Sequence, residues 1–128
     1  MILHRDNHWL VVDKPCGLAT HAGNVGELGA VEWLEQHLGL TAHVVSRLDR
    51  DTSGALLLAL DAGASAEAQE IHESGQALKT YEFYAAVDIL GTKGAAEWVC
   101  DDPLDGKPAR TVFRRLGPTP AGDACRYR

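Results

Sequence analysis

Residues 47–54 read Arg-Leu-Asp-Arg-Asp-Thr-Ser-Gly and run straight into an aliphatic stretch, Ala55 to Leu60. Charged groups at the mouth of an apolar strand are costly unless something pairs or uses them. Asp49, flanked by Arg47 and Arg50 and followed by a Thr52-Ser53-Gly54 turn, has the makings of a carboxylate held ionised as a nucleophile or base. The plainer account is a turn in which Asp side chains bond their own backbone, followed by a surface ion pair. Turns of that kind are common, and the pattern alone leaves both open.

Other chemistry fits less well. As an EF-hand calcium loop starting at Asp49, the segment would need a carboxylate where Leu60 stands. Asp51-Thr52-Ser53-Gly54 is close to the Asp-Thr-Gly of aspartic proteases, whose two aspartates pair, but a serine interrupts it and two arginines crowd it. A dimeric aspartic protease is therefore a remote alternative. His4 and His8 lie four apart in a segment that reads as loop and strand, where that spacing builds no metal face. His21, His37, His43 and His72 have no ligand-type residue at a telling spacing, so no metal is expected. "GNVGELG", residues 23–29, lacks the Gly-Lys-Ser/Thr ending of a phosphate loop and reads as a flexible connection. Lys79 and Tyr81 sit two apart in what reads as a strand and would face one side. A tyrosine there can stack on a flipped base, though a half-buried aromatic beside a lysine is the commoner meaning of Lys-x-Tyr.

The chain that must position these groups has 128 residues, 45% of them hydrophobic, which suits one domain with a single core. No run approaches the roughly eighteen apolar residues of a membrane span. The opening, Met1 to Leu10, shows no basic leader followed by an apolar stretch, so no signal peptide is expected. Cys16, Cys100 and Cys125 are far apart and form no C-x-x-C, which indicates reduced thiols in a cytoplasmic protein. The net charge of -6 conceals an asymmetry: residues 107–128 hold six Lys and Arg against Asp123, a net of +5, leaving -11 on residues 1–106. Such a basic end permits an anionic partner, while the overall charge argues mildly against nucleic acid.

Residues 8–15, "HWLVVDKP", read as a strand ending in a turn. Val31, Leu34 and Leu38 recur at helical spacing, with Gly39 as a stop. Val44 to Leu60 reads as strand, charged turn and strand. A helix is expected over 64–74, with Ala64, Ala68 and Ile71 on one face and Gly75 past its end. Strands follow over 79–87, from Trp98, and through "RTVFRRL", with a turn-rich "DPLDGKPA" between the last two. Gly117 to Gly122 reads as a Pro/Gly loop before a final strand over "ACRYR". Grouped strands with two helices predict an α+β domain with a mixed, mainly antiparallel sheet.

Taken together, four segments resemble one family. "RLDRDTSGALLLA" closely resembles the central signature of the RluA-type pseudouridine synthases, His-Arg-Leu-Asp-x-x-Thr-Ser-Gly followed by aliphatics. "ILHRDNHWLVVDKPCGLATHAG" is similar to the family's opening strand, its Lys-Pro-x-Gly and the His beyond. "ALKTYEFYAAV" and "GKPARTVF" resemble its Lys-x-Tyr and Lys-x-Ala-x-Thr elements. The four come in the family's order and cover nearly the whole chain. The resemblance implies isomerisation of uridine to pseudouridine in rRNA or tRNA, without cofactor or metal. It places the catalytic aspartate at Asp49, as nucleophile at the sugar or as base in an elimination route. Tyr81 would stack on the flipped base, since the uridine must leave its stack to reach a buried Asp49. Tyr84 lies nearby, but only Tyr81 has Lys79 two residues before it. Arg47, Arg50, Thr52 and Lys79 are the further residues it assigns to RNA and its substrate nucleotide.

Three departures accompany the resemblance. Ser46 stands where the family usually has His, and the net charge is acidic. The family's later Thr-Gly-Arg-x-His-Gln-Ile-Arg element, which supplies a basic partner for the aspartate, has no counterpart up to Arg128. Residues 1–128 are thus expected to form a single, partial catalytic domain, with an exposed sheet edge and a tendency to self-associate. A monodisperse, cooperatively melting monomer would count against that. The competing class is an inactive remnant or fragment with an RNA-binding or structural role.

Overall fold

The computed structural model describes residues 1–23, 26–86 and 96–128. They form an α+β architecture of two compact units, Met1–Ala77 and Leu78–Arg128.

The first unit begins with β1 (Ile2–Arg5), a strand where the sequence predicts loop, paired antiparallel with β2 (Trp9–Lys14). Asp6 closes that hairpin by accepting hydrogen bonds from the amides of His8 (2.8 Å) and Trp9 (2.7 Å). The His8 amide, then the ring of His4 and the Trp9 amide, pull its carboxyl down to about 2. After α1 (Ala30–Leu38) come β3 (His43–Val44), β4 (Gly54–Ala59) and α2 (Ala62–Glu73), and the sheet order is β1-β2-β4-β3.

Period-two alternation puts Leu10 and Val12 of β2 on one face, opposite Leu58 and Leu56 of β4. Ala30, Val31 and Leu34 of α1 complete this core, and Leu18, Leu40, Val44, Leu48 and Leu60 pack around it. The helix stops where expected: Gly39 takes φ 62, a left-handed conformation that costs other residues a Cβ clash, and its amide returns to Glu35. Leu38, expected on the buried face, is exposed at the end of that last turn, as is Ile71 on α2. α2 rests on β4 and buries Ala64 and Ala68.

The second unit is a sheet ordered β5-β8-β7-β6, formed by β5 (Phe83–Ala85), β6 (Glu97–Cys100), β7 (Thr111–Pro118) and β8 (Cys125–Tyr127). Each strand contributes one ring to an aromatic row. Phe83 stacks on Tyr127 at 5.4 Å and Trp98 on Phe113 at 4.9 Å, with edge contacts joining the pairs. The Asp105-Gly106 turn, with φ 51 and 74, closes the Leu104–Lys107 bridge as Asp-Gly hairpins do. Pairing between β7 and β8 shifts register between Arg115 and Gly117. The strand expected over 79–87 is shorter than predicted: only Phe83–Ala85 pairs, Lys79 to Glu82 precede it unpaired, and residue 87 lies outside the described residues. The register explains this, since β8 meets β5 only from Phe83 opposite Tyr127 to Ala85 opposite Cys125.

Asp61 caps α2 through the Ala64 amide (2.9 Å), and its other oxygen meets His8 Nδ1 at 2.7 Å. The bond to Asp61 raises the His8 pKa, while the Ala64 amide and then His8 lower that of Asp61. His8 therefore stabilises the fold fully below its ordinary 6.5, and this is lost as pH rises through its raised value. Asp61 contributes above its ordinary 3.8 and loses that as pH falls through its lowered value. The melting temperature lost by His8→Ala should accordingly be greatest near pH 5, smaller at pH 8, and reduced in 1 M salt because the pair is exposed. Scanning calorimetry across that range checks it; a pH-independent difference would refute the pairing.

Candidate active site

Lys14 ends the inward row of β2 that begins with Leu10 and Val12, and it is buried with 1% of its surface exposed. An ammonium in that position needs acceptors. It donates to the carbonyls of Leu18 (2.7 Å), Pro15 (3.2 Å) and Arg50 (3.2 Å). Across the sheet, Lys14 faces Gly54, whose φ of 128 strongly favours glycine.

The Arg50 carbonyl links this buried charge to the segment holding Asp49. It also accepts the Gly17 amide at 2.8 Å, and Cys16 Sγ donates to the Asp51 carbonyl at 3.3 Å. On the other side, the buried Thr20 hydroxyl donates to the Leu48 carbonyl (2.8 Å) and accepts the Leu48 amide (3.1 Å). The Thr52 amide closes the turn on the Asp49 carbonyl at 3.1 Å. Residues on both sides of Asp49 are thus tied to the loop between Lys14 and Thr20.

That loop is in turn tied to α1. The amides of Ala30 and Val31 donate to the carbonyls of Ala19 (2.9 Å) and Thr20 (3.2 Å), so the helix start fixes the threonine. Glu32 accepts from the amides of Ala22 and Gly29, each at 3.0 Å, and meets His21 Nδ1 at 2.9 Å. Burial works to raise its carboxyl, but the His21 bond and the amides outweigh it and hold the pKa below the ordinary value. Gly29 admits this packing, since a Cβ there would lie 2.5 Å from the His21 carbonyl carbon.

The first unit gathers Asp49, Arg50 and Thr52 on this anchored turn, with Arg47 just before it; Lys79 and Tyr81 belong to the second unit. The side chains of Arg47 and Asp49 are exposed and Thr52 is half-buried. Three expectations are corrected. The aspartate is not buried: Leu48 packs on the core and hydrogen-bonds Thr20, which turns its neighbours outward. Nor do the arginines pair with it, because Arg50 reaches Glu27 at 3.2 Å and Asp49 has no ion pair among the described residues. Lys79 and Tyr81 do not share a strand face as expected, since they lie on the unpaired approach to β5, with Tyr81 half exposed.

Sequence reasoning missed Lys14, Thr20, Glu27 and Glu32. Lys14 was legible in principle, because period two from Leu10 and Val12 puts a lysine on the core face. An apolar cleft of about 450 Å³ opens beside α1, lined by Ile2, Val12, Pro15, Trp33 and Leu34 among others, but none of the acidic turn lines it. Among the described residues no cluster of His, Cys, Asp or Glu is arranged to hold a metal, and no helix is long and apolar enough to cross a membrane.

Replacing Thr20 by Val keeps its shape but strips both Leu48 backbone groups of their partner. Urea unfolding should show a loss of about 1–3 kcal/mol, the cost of leaving buried polar groups unmatched. An unchanged midpoint would mean that the hydroxyl does not hold the turn.

Comparison with known proteins places this arrangement in a family. Residues 8–123 match the family model for RNA pseudouridylate synthase. A Bacillus subtilis protein named as an uncharacterized RNA pseudouridine synthase, YhcT, is 32% identical over 123 residues, covering 91% of this chain and 39% of its own. Ribosomal large subunit pseudouridine synthase C of Vibrio parahaemolyticus is 32% identical over 131 residues, covering 91% of this chain and 40% of its own. The chain thus spans about two fifths of the length of these relatives. The solved structure of human RNA pseudouridylate synthase domain containing 4 has the same fold, with a TM-score of 0.65 at 20% identity over 98% of this chain and 56% of that one. An anchored Arg-Leu-Asp turn in a fold and sequence of this kind makes the chain a member of the RNA pseudouridylate synthase family.

Proposed function

We propose that the protein isomerises uridine to pseudouridine within RNA, with Asp49 as the catalytic aspartate. The presentation of Asp49 carries this reading: an exposed carboxylate on a backbone held at Leu48, Arg50 and Asp51. A reacting carboxylate must reach the sugar of a bound nucleotide, and fixing its backbone reduces the ordering left for the moment of reaction. In the reaction the bond from C1′ to N1 breaks, the base turns, C1′ bonds to C5, the C5 proton leaves to solvent, and N1 takes up a proton in its place. Asp49 serves as nucleophile at the sugar or as the base of an elimination.

Tyr81, half exposed before β5, would stack on the uracil once it leaves its helix. Arg47, Arg50, Thr52 and Lys79 would contact the RNA, and Arg50 would exchange Glu27 for a phosphate. The chemistry is an isomerisation that calls for neither cofactor nor metal. The names of the relatives favour rRNA over tRNA. A cytoplasmic location and one partial catalytic domain spanning both units belong to the same reading. So does self-association, supported by the edge strand β1 with Ile2 and Leu3 exposed.

One observation favours a second reading, a fragment that keeps the fold and some RNA binding but not the chemistry. Among the described residues no basic group lies within ion-pair distance of Asp49.

Release of tritium from RNA containing 5-tritiated uridine separates the two. Asp49→Asn keeps size and hydrogen bonding but removes the carboxylate, so release should vanish while RNA binding survives. Tyr81→Phe should slow release less than that, if stacking matters more than the hydroxyl. Undiminished release by Asp49→Asn would overturn the mechanism, and RNA binding without release by the unaltered protein would establish the second reading.

A further inference from the structure

The aromatic row of the second unit fixes which way its other side chains point. Because Phe83, Tyr127, Phe113 and Trp98 share one face, alternation puts their strand neighbours on the other. That second face carries Glu82 and Tyr84, Arg126 and Arg128, Val112 and Arg114, and Glu97 and Val99, all exposed.

Its charges form a pattern. Arg128 donates to Glu82 from Nη2 (2.7 Å) and Nε (3.2 Å), and Arg114 donates to Glu97 from Nη2 (2.9 Å) and Nε (3.1 Å). Arg114 and Arg128 themselves lie opposite one another, joined by two backbone hydrogen bonds of 2.7 and 2.8 Å. The order across the sheet is therefore acid, base, base, acid, with Glu82 just before the edge strand β5, Arg128 just past the end of β8, Arg114 on β7 and Glu97 on the edge strand β6. Just past the strands, Arg110 meets Asp101 at 3.7 Å and continues the motif. Arg126 lies on the same central seam, makes no ion pair or hydrogen bond among the described residues, and stands opposite Tyr84 in register. Tyr84 is 67% exposed.

We propose that this face is a second RNA-binding surface, holding a single-stranded stretch of the substrate RNA other than the reacting uridine. The inference rests on the function proposed above. A protein layer packed here would have to desolvate three arginines and two glutamates, whereas a polyanion replaces their water with charge. The edge carboxylates hold two guanidiniums extended along the sheet, and Arg126 is left for a phosphate. Tyr84 beside it offers a flat surface for a base, and an arginine next to an aromatic is the pairing that single-strand binders use.

The test measures binding of a fluorescein-labelled twelve-nucleotide RNA by anisotropy over a series of salt concentrations. Tyr84→Ala should weaken binding about tenfold at every salt concentration, the scale of one lost base stack. Arg126→Gln should lower the salt slope by about 0.7, the value for one phosphate on a single strand. Arg126→Lys should bind nearly as the unaltered protein does. Both positions are exposed, and matching thermal melts would confirm that the variants fold. Variants that bind RNA like the unaltered protein would overturn the surface, and with tritium release intact the proposed function would stand. Absence of RNA binding by the unaltered protein would overturn both.

Discussion

The ammonium of Lys14 occupies the position in β2 where a third apolar side chain would continue the row from Leu10 and Val12. A buried charge there is tolerable only because three carbonyls surround it, and those carbonyls come from both segments that must be brought together. Pro15 and Leu18 belong to the loop that follows the strand, and Arg50 to the turn that presents Asp49. Satisfying the lysine therefore draws loop and turn into one arrangement. The remaining ties of the Gly17 amide, the Cys16 thiol and the Thr20 hydroxyl follow from that placement.

The same logic separates what is held from what is left free. Backbone on either side of Asp49 is bonded, while its carboxylate faces solvent without an ion pair among the described residues. A side chain that must meet a nucleotide gains from a fixed base and an open approach. Arg50 shows the division within one residue, its carbonyl locked inside and its guanidinium on the surface at Glu27. In the second unit the division runs between sheet faces, with the stacked rings of Phe83, Trp98, Phe113 and Tyr127 on one side and Arg114, Arg126 and Arg128 with Glu82, Glu97 and Tyr84 on the other.

Much of this was legible in the sequence. The alternation in "HWLVVDKP", the helical spacing of Val31 and Leu34, the Gly39 stop and the Asp-Gly turn each carried a local physical signal that tertiary packing kept. β1 was missed because Ile2 to Arg5 lies on a sheet edge, all exposed, with no alternation to read. The strand over 79–87 was overextended because propensity reports a residue's preference, while the register with β8 decides which residues pair. At the site, residue types identified Asp49 and its neighbours, but two arginines beside an aspartate did not reveal their partners. Arg50 turns to Glu27, which lies 23 positions earlier, and only the folded loop brings that carboxylate into range.

Amide hydrogen exchange in Lys14→Met tests most directly whether the buried lysine organises the turn. Methionine fills the same space without the charge, so the core should survive while the carbonyls of Leu18 and Arg50 lose their donor. The account predicts exchange at least about tenfold faster at the amides of Gly17, Leu48 and Thr52, with the β4 amides still protected. Equal acceleration throughout the first unit would make Lys14 a general contributor to stability, and unchanged protection at those three amides would contradict the account.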